Sequence, residues 1–310
     1  MMNKWSVWLT IGVLACLFVS CEQYAIFGAI AQEVKPKPAL IKGSPSKIVK
    51  DSTGHLYVAN GELWKFSGGS WVKTSAPDNT RDVAAVGNDV YVVTVGDSPS
   101  LSKIGGGNIS VPGTVQGIYG ANNRLFIAVG NGDSYSAYSY DGSSLSSNSV
   151  ALGLLKGAAY YSGPHYYLAT SDGLFHSTNG SSFTSIANGN FLGVIAHGNT
   201  VIAVTASAVY EVTGNTAIAK VSSDSLTGAL AVFGDTLYLG RTRGYREVYT
   251  ASSWELKTPS IASYTSTIAQ VCVTAMYAVS NDLIFASVLS SNPKRSGLMS
   301  LRGGSWNMEE

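Results

Sequence analysis

Five basic residues and one tyrosine, gathered in two short segments, are the best material in this chain for recognition chemistry. Arg241, Arg243, Tyr245 and Arg246 fall within GRTRGYRE (240–247), and Lys294 and Arg295 fall within SVLSSNPKRSG (287–297). Guanidinium groups bind carboxylates through paired N–H donors, and arginine and tyrosine are enriched among the residues that anchor interfaces. Hydrolysis is poorly served by the spacing, because a clamp on a charged substrate draws its arginines from several elements and three of these lie within one short stretch. The histidines, His55, His165, His176 and His197, show no HxH or HxxxH spacing, so no metal site is predicted. Cys272 sits in the apolar stretch VCVTAMYAV with no basic neighbour and reads as a buried small hydrophobe. The glycine run at Ile104 to Asn108 precedes no helix, and no serine stands in a G-x-S-x-G setting. The sequence therefore predicts no catalytic residue, metal or cofactor, and points to a binding surface.

The elements that must carry this surface repeat along the chain. A short apolar phrase occurs as LYVAN at Leu56, VYVVT at Val90, LFIAV at Leu125, YYLAT at Tyr166, VIAVT at Val201, LYLG at Leu237 and LIFAS at Leu283. A period near 40 residues with several strands in each unit predicts an all-β, seven-bladed β-propeller of four-stranded antiparallel blades. The expected blades cover about 44–77, 78–113, 114–150, 151–189, 190–223, 224–260 and 261–310. The 34 glycines and 17 tyrosines, with only 13% charged residues, suit turns and strands better than helices.

Each unit reads as four strands with different tasks. The first is rich in small residues (DVAAV at Asp82, GIYG at Gly117, GAAYY at Gly157, GVIA at Gly193), as expected where strands converge on an axis. The second is apolar at nearly every position, as expected of a strand covered on both faces. The third and fourth form rim hairpins whose GG, DG, NG and GN pairs suit tight turns. Trp71, Phe183, Trp254 and Trp306 recur at the start of the fourth strand, which predicts packing between blades. The last unit contains its own fourth strand, SWNME, so closure by face-to-face apolar packing is expected, with Ala39–Ile41 as a possible addition to blade 7.

Loops joining second to third strands share a face with those joining one blade to the next, and ligands commonly occupy that face. The alignment gives blades 6 and 7 long second-to-third loops, placing the arginine and lysine cluster on one side. Asp97, Asp133 and Asp172 fall in the equivalent loops of blades 2, 3 and 4. Without Lys4 the basic and acidic residues balance at 19 each, which leaves no global field for nucleic acid.

The N-terminus carries a basic residue, Lys4, an apolar stretch from Trp5 to Val19, and Ser20-Cys21. This resembles a bacterial lipoprotein signal of the relaxed spirochaete type, with LFVS-C at 17–21 as its lipobox. The resemblance implies a signal peptide over 1–20, lipidation (palmitate) at Cys21, a tether over 21–40 and the propeller over 41–310. Cleavage after Ala31, an uncleaved anchor and use of Cys16 are the alternatives. With Cys16 in the leader and Cys21 acylated, Cys272 has no disulfide partner.

STNGSSF (177–183) resembles the degenerate Asp-box hairpin of BNR-repeat and sialidase-like propellers, with Asn179 where aspartate is usual. Residues 41–310 otherwise look like the broad YVTN/WD40-like class, without the Gly-His and Trp-Asp pairs of WD40 repeats. The expected protein is an exported, lipid-anchored, non-enzymatic binding or scaffolding protein of the bacterial cell envelope. Its partners would be a membrane through the anchor and an envelope protein or glycan. Two alternatives stand beside it: a secreted glycan-binding or sialidase-like propeller, and an outer-membrane assembly factor resembling the lipoprotein propeller that assists β-barrel insertion.

Overall fold

The structure is a computed structural model that describes residues 40–309 except 97–98, 132–133, 148–152, 162, 250–253, 258–270 and 292–295. The leader, Cys21 and most of the tether therefore lie outside the described residues. Ala39–Glu310 forms one compact unit, built as a β-propeller of four-stranded antiparallel blades. Its described strands gather into seven such sheets, and within each the strands pair in simple chain order. In order along the chain we number them sheets 1 to 7, spanning 49–73, 80–109, 114–147, 155–188, 193–222, 226–257 and 272–308.

The apolar repeat phrase forms the second strand of each sheet, and its side chains divide by parity. In sheet 3, Leu125, Ile127 and Val129 pack toward sheet 2, while Phe126 and Ala128 pack toward sheet 4. Sheet 5 repeats this, with Val201 and Ala203 facing sheet 4 and Ile202 and Val204 facing sheet 6. Successive side chains on a strand point to opposite faces, so a strand covered on both sides must be apolar throughout. Each pair of consecutive sheets shares a cluster of this kind, and Leu56 and Val58 of sheet 1 join Phe285 and Leu298 of sheet 7 in another.

Aromatic residues of the fourth strands enter these seams, as their repeated position predicts. Trp71 lies between sheets 1 and 7, its ring centroid 5.3 Å from that of Phe285, and Phe66 stands 4.9 Å from the same phenylalanine. Phe183 meets Phe126 at 5.8 Å across the seam of sheets 3 and 4, and Trp306 meets Tyr245 at 5.4 Å across that of sheets 6 and 7. Trp254 is half-buried against the seam of sheets 5 and 6.

Around the axis the first strands approach too closely for side chains. A Cβ on Gly193 would lie 2.4 Å from the carbonyl oxygen of Gly228, and one on Gly120 would lie 1.9 Å from that of Ala85. These contacts account for the small residues of the first strands.

Closure differs from the expectation of apolar packing alone. Leu40 N–H donates to the Glu309 carbonyl at 2.8 Å, Leu298 N–H donates to that of Ile41 at 3.3 Å, and Lys42 bridges Gly297. The segment ahead of sheet 1 thus laps onto the edge of sheet 7, and Ile41 is almost fully buried in their shared cluster. Unsatisfied backbone groups at the end of sheet 7's outer hairpin explain the clasp, since Ile41 and Leu40 supply the partners that Leu298 and Glu309 would otherwise lack.

Truncating Phe285 to alanine should destabilise the fold by about 3–5 kcal/mol, whereas Val72→Ala on the exposed rim should stay within about 0.5 kcal/mol. Urea denaturation of the two variants checks the difference.

Candidate site at the mouth of the axial channel

Five of the seven first strands share a second feature at their starting ends. Register shifts fall between Thr80 and Asp82, between Leu155 and Gly157, between Leu226 and Leu230, and between Val273 and Ala275. In sheet 3 the shift lies on the partner strand's step from Ala128 to Val129, which leaves Gln116 as the extra residue. A bulge leaves one residue outside the ladder and re-aims its side chain. The residues set apart in this way are Arg81, Gln116, Lys156, Thr274 and, within a wider irregularity, Thr227.

These bulges form a polar collar at one end of the ring. Gln116, Lys156, Thr227 and Thr274 line a cavity of about 410 Å³ to which the first-strand regions of all seven sheets contribute. Several collar groups also tie their sheet to the next one. Arg81 donates to the Val115 carbonyl of sheet 3 at 2.6 Å. Lys156 Nζ donates to Asn190 Oδ1, just ahead of sheet 5, at 2.7 Å, and Thr227 Oγ1 donates to the Val273 carbonyl of sheet 7 at 2.5 Å. Thr274 Oγ1 lies 2.8 Å from Ser44 Oγ, ahead of sheet 1, and 3.0 Å from Ser287 Oγ.

The deepest polar contact in the cavity belongs to Lys47, just ahead of sheet 1. Its ammonium donates to both carboxylate oxygens of Asp82 in sheet 2, at 2.9 and 2.7 Å, and to the Ile118 carbonyl of sheet 3 at 2.6 Å. It also sits 3.7 Å above the centre of the Tyr119 ring. Asp82 further accepts the backbone N–H groups of Val83 and Ile118. Burial pulls the Lys47 pKa below its usual value, and the Asp82 charge opposes that pull without cancelling it. Burial and the same carboxylate push the Tyr119 hydroxyl upward, so it stays protonated.

The arginine segment of sheet 6 does not form the projecting loop expected of it. The second strand runs to Arg241 and the third begins at Tyr245, so only Thr242–Gly244 separates them. Tyr245 is 6% exposed and packs inside the seam of sheets 6 and 7, where its ring meets Trp306; it belongs to the core. Arg241 is largely covered and pairs with Asp224 at 2.7 Å. Arg243 is exposed at the tip. The backbone of Arg246 pairs with Leu239, while its side chain, and the whole of Lys294 and Arg295, lie outside what is described. Asp97 and Asp133 are likewise outside it, and Asp172 is exposed and accepts from Ser171 Oγ. The structure thus brings together a different set of residues from the one expected.

That tight turn nonetheless lies on the same end of the ring as the collar. Gly244 N–H donates to the Val271 carbonyl at 2.9 Å and Thr242 N–H donates to that of Ser225, which places the turn against the starts of the first strands of sheets 7 and 6.

Two further local arrangements escaped the linear spacing. His165 Nδ1 lies 2.7 Å from His176 Nε2, so one ring donates and the other accepts, and both stack among Tyr161 and Tyr167. Neighbouring strands join these histidines, so no short sequence interval reports them. Burial first, and the His165 charge second, lower the His176 pKa. The hairpin at 177–183 folds as its resemblance implies, with Asn179 Oδ1 accepting from the backbone N–H groups of Ser181 and Ser182 at 2.9 Å each. SYDGSSL (139–145) repeats it, with Asp141 Oδ1 accepting from Ser143 and Ser144 N–H, which holds that carboxyl far below its usual pKa. Cys272 is half-buried, and burial pushes its thiol up. Among the described residues no group of three His, Cys, Asp or Glu could hold a metal ion, and no helix is long and apolar enough to cross a membrane.

No family model and no curated protein matches the chain. Solved structures do, at the level of the fold. The extracellular domain of the one-component system BT4673 from B. thetaiotaomicron is 15% identical with a TM-score of 0.63, over 87% of this chain and 40% of that one. YCF48 from Cyanidioschyzon merolae is 14% identical with a TM-score of 0.56, over 86% of this chain and 98% of that one. PorZ, a bacterial surface component of the type-IX secretion system of Porphyromonas gingivalis, is 14% identical with a TM-score of 0.55, over 88% of this chain and 39% of that one. The chain spans about 40% of the length of the BT4673 and PorZ chains it resembles. These likenesses define a class, the β-propellers, to which the fold belongs.

Replacing Asp82 by asparagine should leave the Lys47 ammonium buried without a counter-charge and destabilise the protein by about 3–5 kcal/mol at neutral pH. Loss of the carboxylate also lowers the Lys47 pKa further, so the folded state then prefers the neutral amine more strongly. The deficit should shrink as pH rises from the folded pKa toward the unfolded value of 10.5. Chemical denaturation at pH 7 and pH 10 reads both effects. The histidine pair gives the opposite direction. A depressed His176 pKa means stability is full above the unfolded value of 6.5 and is lost as pH falls through the folded value. Thermal melts at pH 7 and 5 should show that loss, and it should be smaller in His165→Gln, which removes the neighbouring charge.

Proposed function

We propose that the protein is an exported, lipid-anchored, seven-bladed β-propeller that serves as a non-enzymatic binding or scaffolding component of the bacterial cell envelope. The observation that carries the binding role is the polar collar around the axial cavity, where side chains from several sheets converge on one water-accessible concavity. Ligand sites are usually concave and largely pre-formed, with a few convergent polar groups, and the collar has that character. The turn bearing Arg243 lies on the same end and would widen the surface offered to a larger partner. Lys294 and Arg295 would extend it from the Ser290–Ser296 loop.

The envelope location rests on the leader, with Cys21 as the lipidated residue, and is supported by fold neighbours described as bacterial extracellular domains and as a secretion-system surface component. YCF48 has also been solved bound to a D1 peptide, which makes a polypeptide partner a reasonable choice for a propeller of this size. A sialidase-like activity is less well served, because Arg241 is already paired, Tyr245 is in the core, and the remaining described collar cations do not make an arginine clamp.

In cells producing the full chain, Cys21→Ser should abolish palmitate incorporation and release the protein from the membrane fraction; retention there would refute the anchor. A photo-crosslinking residue placed at Gln116 or Arg243 should form protein adducts in intact envelopes, and one at Val72 on the rim should not. Adducts from Val72 alone, or turnover of a sialoside by purified protein, would replace this reading.

A further inference from the structure

We infer that the collar is a carboxylate-binding site, with Lys156 and Gln116 as its contacts inside the cavity and Arg81 beside its rim. The inference rests on the binding role proposed above and names the ligand chemistry. Its first support is the charge balance of the cavity. Lys47 and Asp82 neutralise each other in a bidentate contact, and Asp82 is the only acidic side chain among the described residues that line the cavity. Lys156 lines the same space, and among the described residues its ammonium meets one partner, the neutral amide oxygen of Asn190. Arg81, adjacent to Asp82 and close enough to disfavour the Lys47 charge, donates to a backbone carbonyl and faces no carboxylate among the described residues. One cation thus lines the concavity without a counter-charge, and a second stands beside Asp82, just outside that lining.

The second support is construction. Lys156, Arg81 and Gln116 are each the extra residue of a bulge, on three consecutive first strands, and bulges of this kind commonly re-aim side chains at functional sites. Were these residues in the regular ladder, the strict alternation of the strand would hold them to a single face. Partial burial also lowers the Lys156 pKa, a shift that an arriving anion would oppose. Planar carboxylates suit the guanidinium fork and the amide of Gln116. A volume of about 410 Å³ admits a small organic acid, an acidic side chain or a chain terminus.

Calorimetric titration of the full-length protein with succinate tests the assignment. Millimolar or tighter binding is expected, weakened about tenfold or more in Lys156→Gln and in Arg81→Gln, retained in Lys156→Arg, and unchanged in Lys103→Gln on the third strand of sheet 2. Thermal melts of each variant separate lost binding from lost folding. A parallel titration uses a short peptide with a free C-terminus and the same peptide as its amide. Binding of the free acid but not the amide identifies a chain terminus as the source; binding of succinate alone identifies a small acid. Absence of binding by succinate and by both peptides, an affinity insensitive to Lys156→Gln and Arg81→Gln, or tighter binding of inorganic phosphate overturns the inference. If these titrations fail while crosslinks from Gln116 persist, the binding surface stands and only the ligand class falls.

Discussion

Every second strand in this protein has two buried faces, and the rest of the structure follows from that constraint. An isolated sheet of this composition would expose one apolar face or the other, so no single sheet is stable without its neighbours. Burial is completed only when the last sheet finds the first. That is why Phe285, Phe66 and Trp71 form a mutual aromatic contact at the junction of sheets 7 and 1, and why Leu40–Lys42 is drawn onto the edge of sheet 7. Closure joins residues farthest apart in the chain, so it carries the largest loop-closure entropy and needs the strongest local packing. Side-chain parity does the sorting: a one-residue slip in any second strand would exchange its two neighbours' contacts.

The same closure creates a problem at the axis. Strands close enough for Gly193 to approach Gly228 have no room for side chains, yet their backbones and the polar groups at their ends must still be satisfied. Lys47 meets this demand for three sheets at once, bonding to Asp82 and to the Ile118 carbonyl. Such a pair adds little net stability after its desolvation is counted. It does specify which sheets stand side by side, because a shifted neighbour would strand a charge. Arg81, Lys156, Thr227 and Thr274 extend this sheet-to-sheet linkage around the ring, and each does so from a bulge or an irregularity in its ladder.

Much of this was legible in the sequence, and the misses have physical causes. The second strands, the small first strands and the seam aromatics could be read because burial on two faces, steric exclusion and repeat-locked packing each impose a residue type at a fixed interval. GRTRGYRE has the polarity of a loop, so the sequence does not show that Tyr245 is buried or that Arg241 pairs with Asp224. Its backbone instead pairs Gly240 with Tyr245 across a short turn, and the burial of Tyr245 is decided by Trp306, some sixty residues away. The His165–His176 contact depends on register between strands, which spacing along one strand does not encode. The collar did leave a trace: Gln116-Gly117, Lys156-Gly157 and Thr227-Gly228 each place a polar residue immediately before the glycine of a first strand. That doublet is what a bulge beside a crowded axis requires, one residue turned out of the ladder and the next too small to clash.

The doublet also explains why binding groups belong at the axis mouth rather than on the rim. Rim hairpins are fixed at one edge only, and their exposed side chains would lose conformational freedom on contact with a partner. Collar side chains are anchored within the convergence of the first strands, and several already spend one hydrogen bond on the adjacent sheet. Lys156 is held toward Asn190 before any ligand arrives, so little further ordering is demanded when one does. Because each collar residue contributes one group from a separate sheet, the proposed binding role would let a single bulge residue be substituted while the seams that stabilise the ring remain untouched. Architecture and recognition are thereby divided between alternate parts of the same repeat: the second strand holds the ring, and the bulge of the first strand is free to choose what the ring holds.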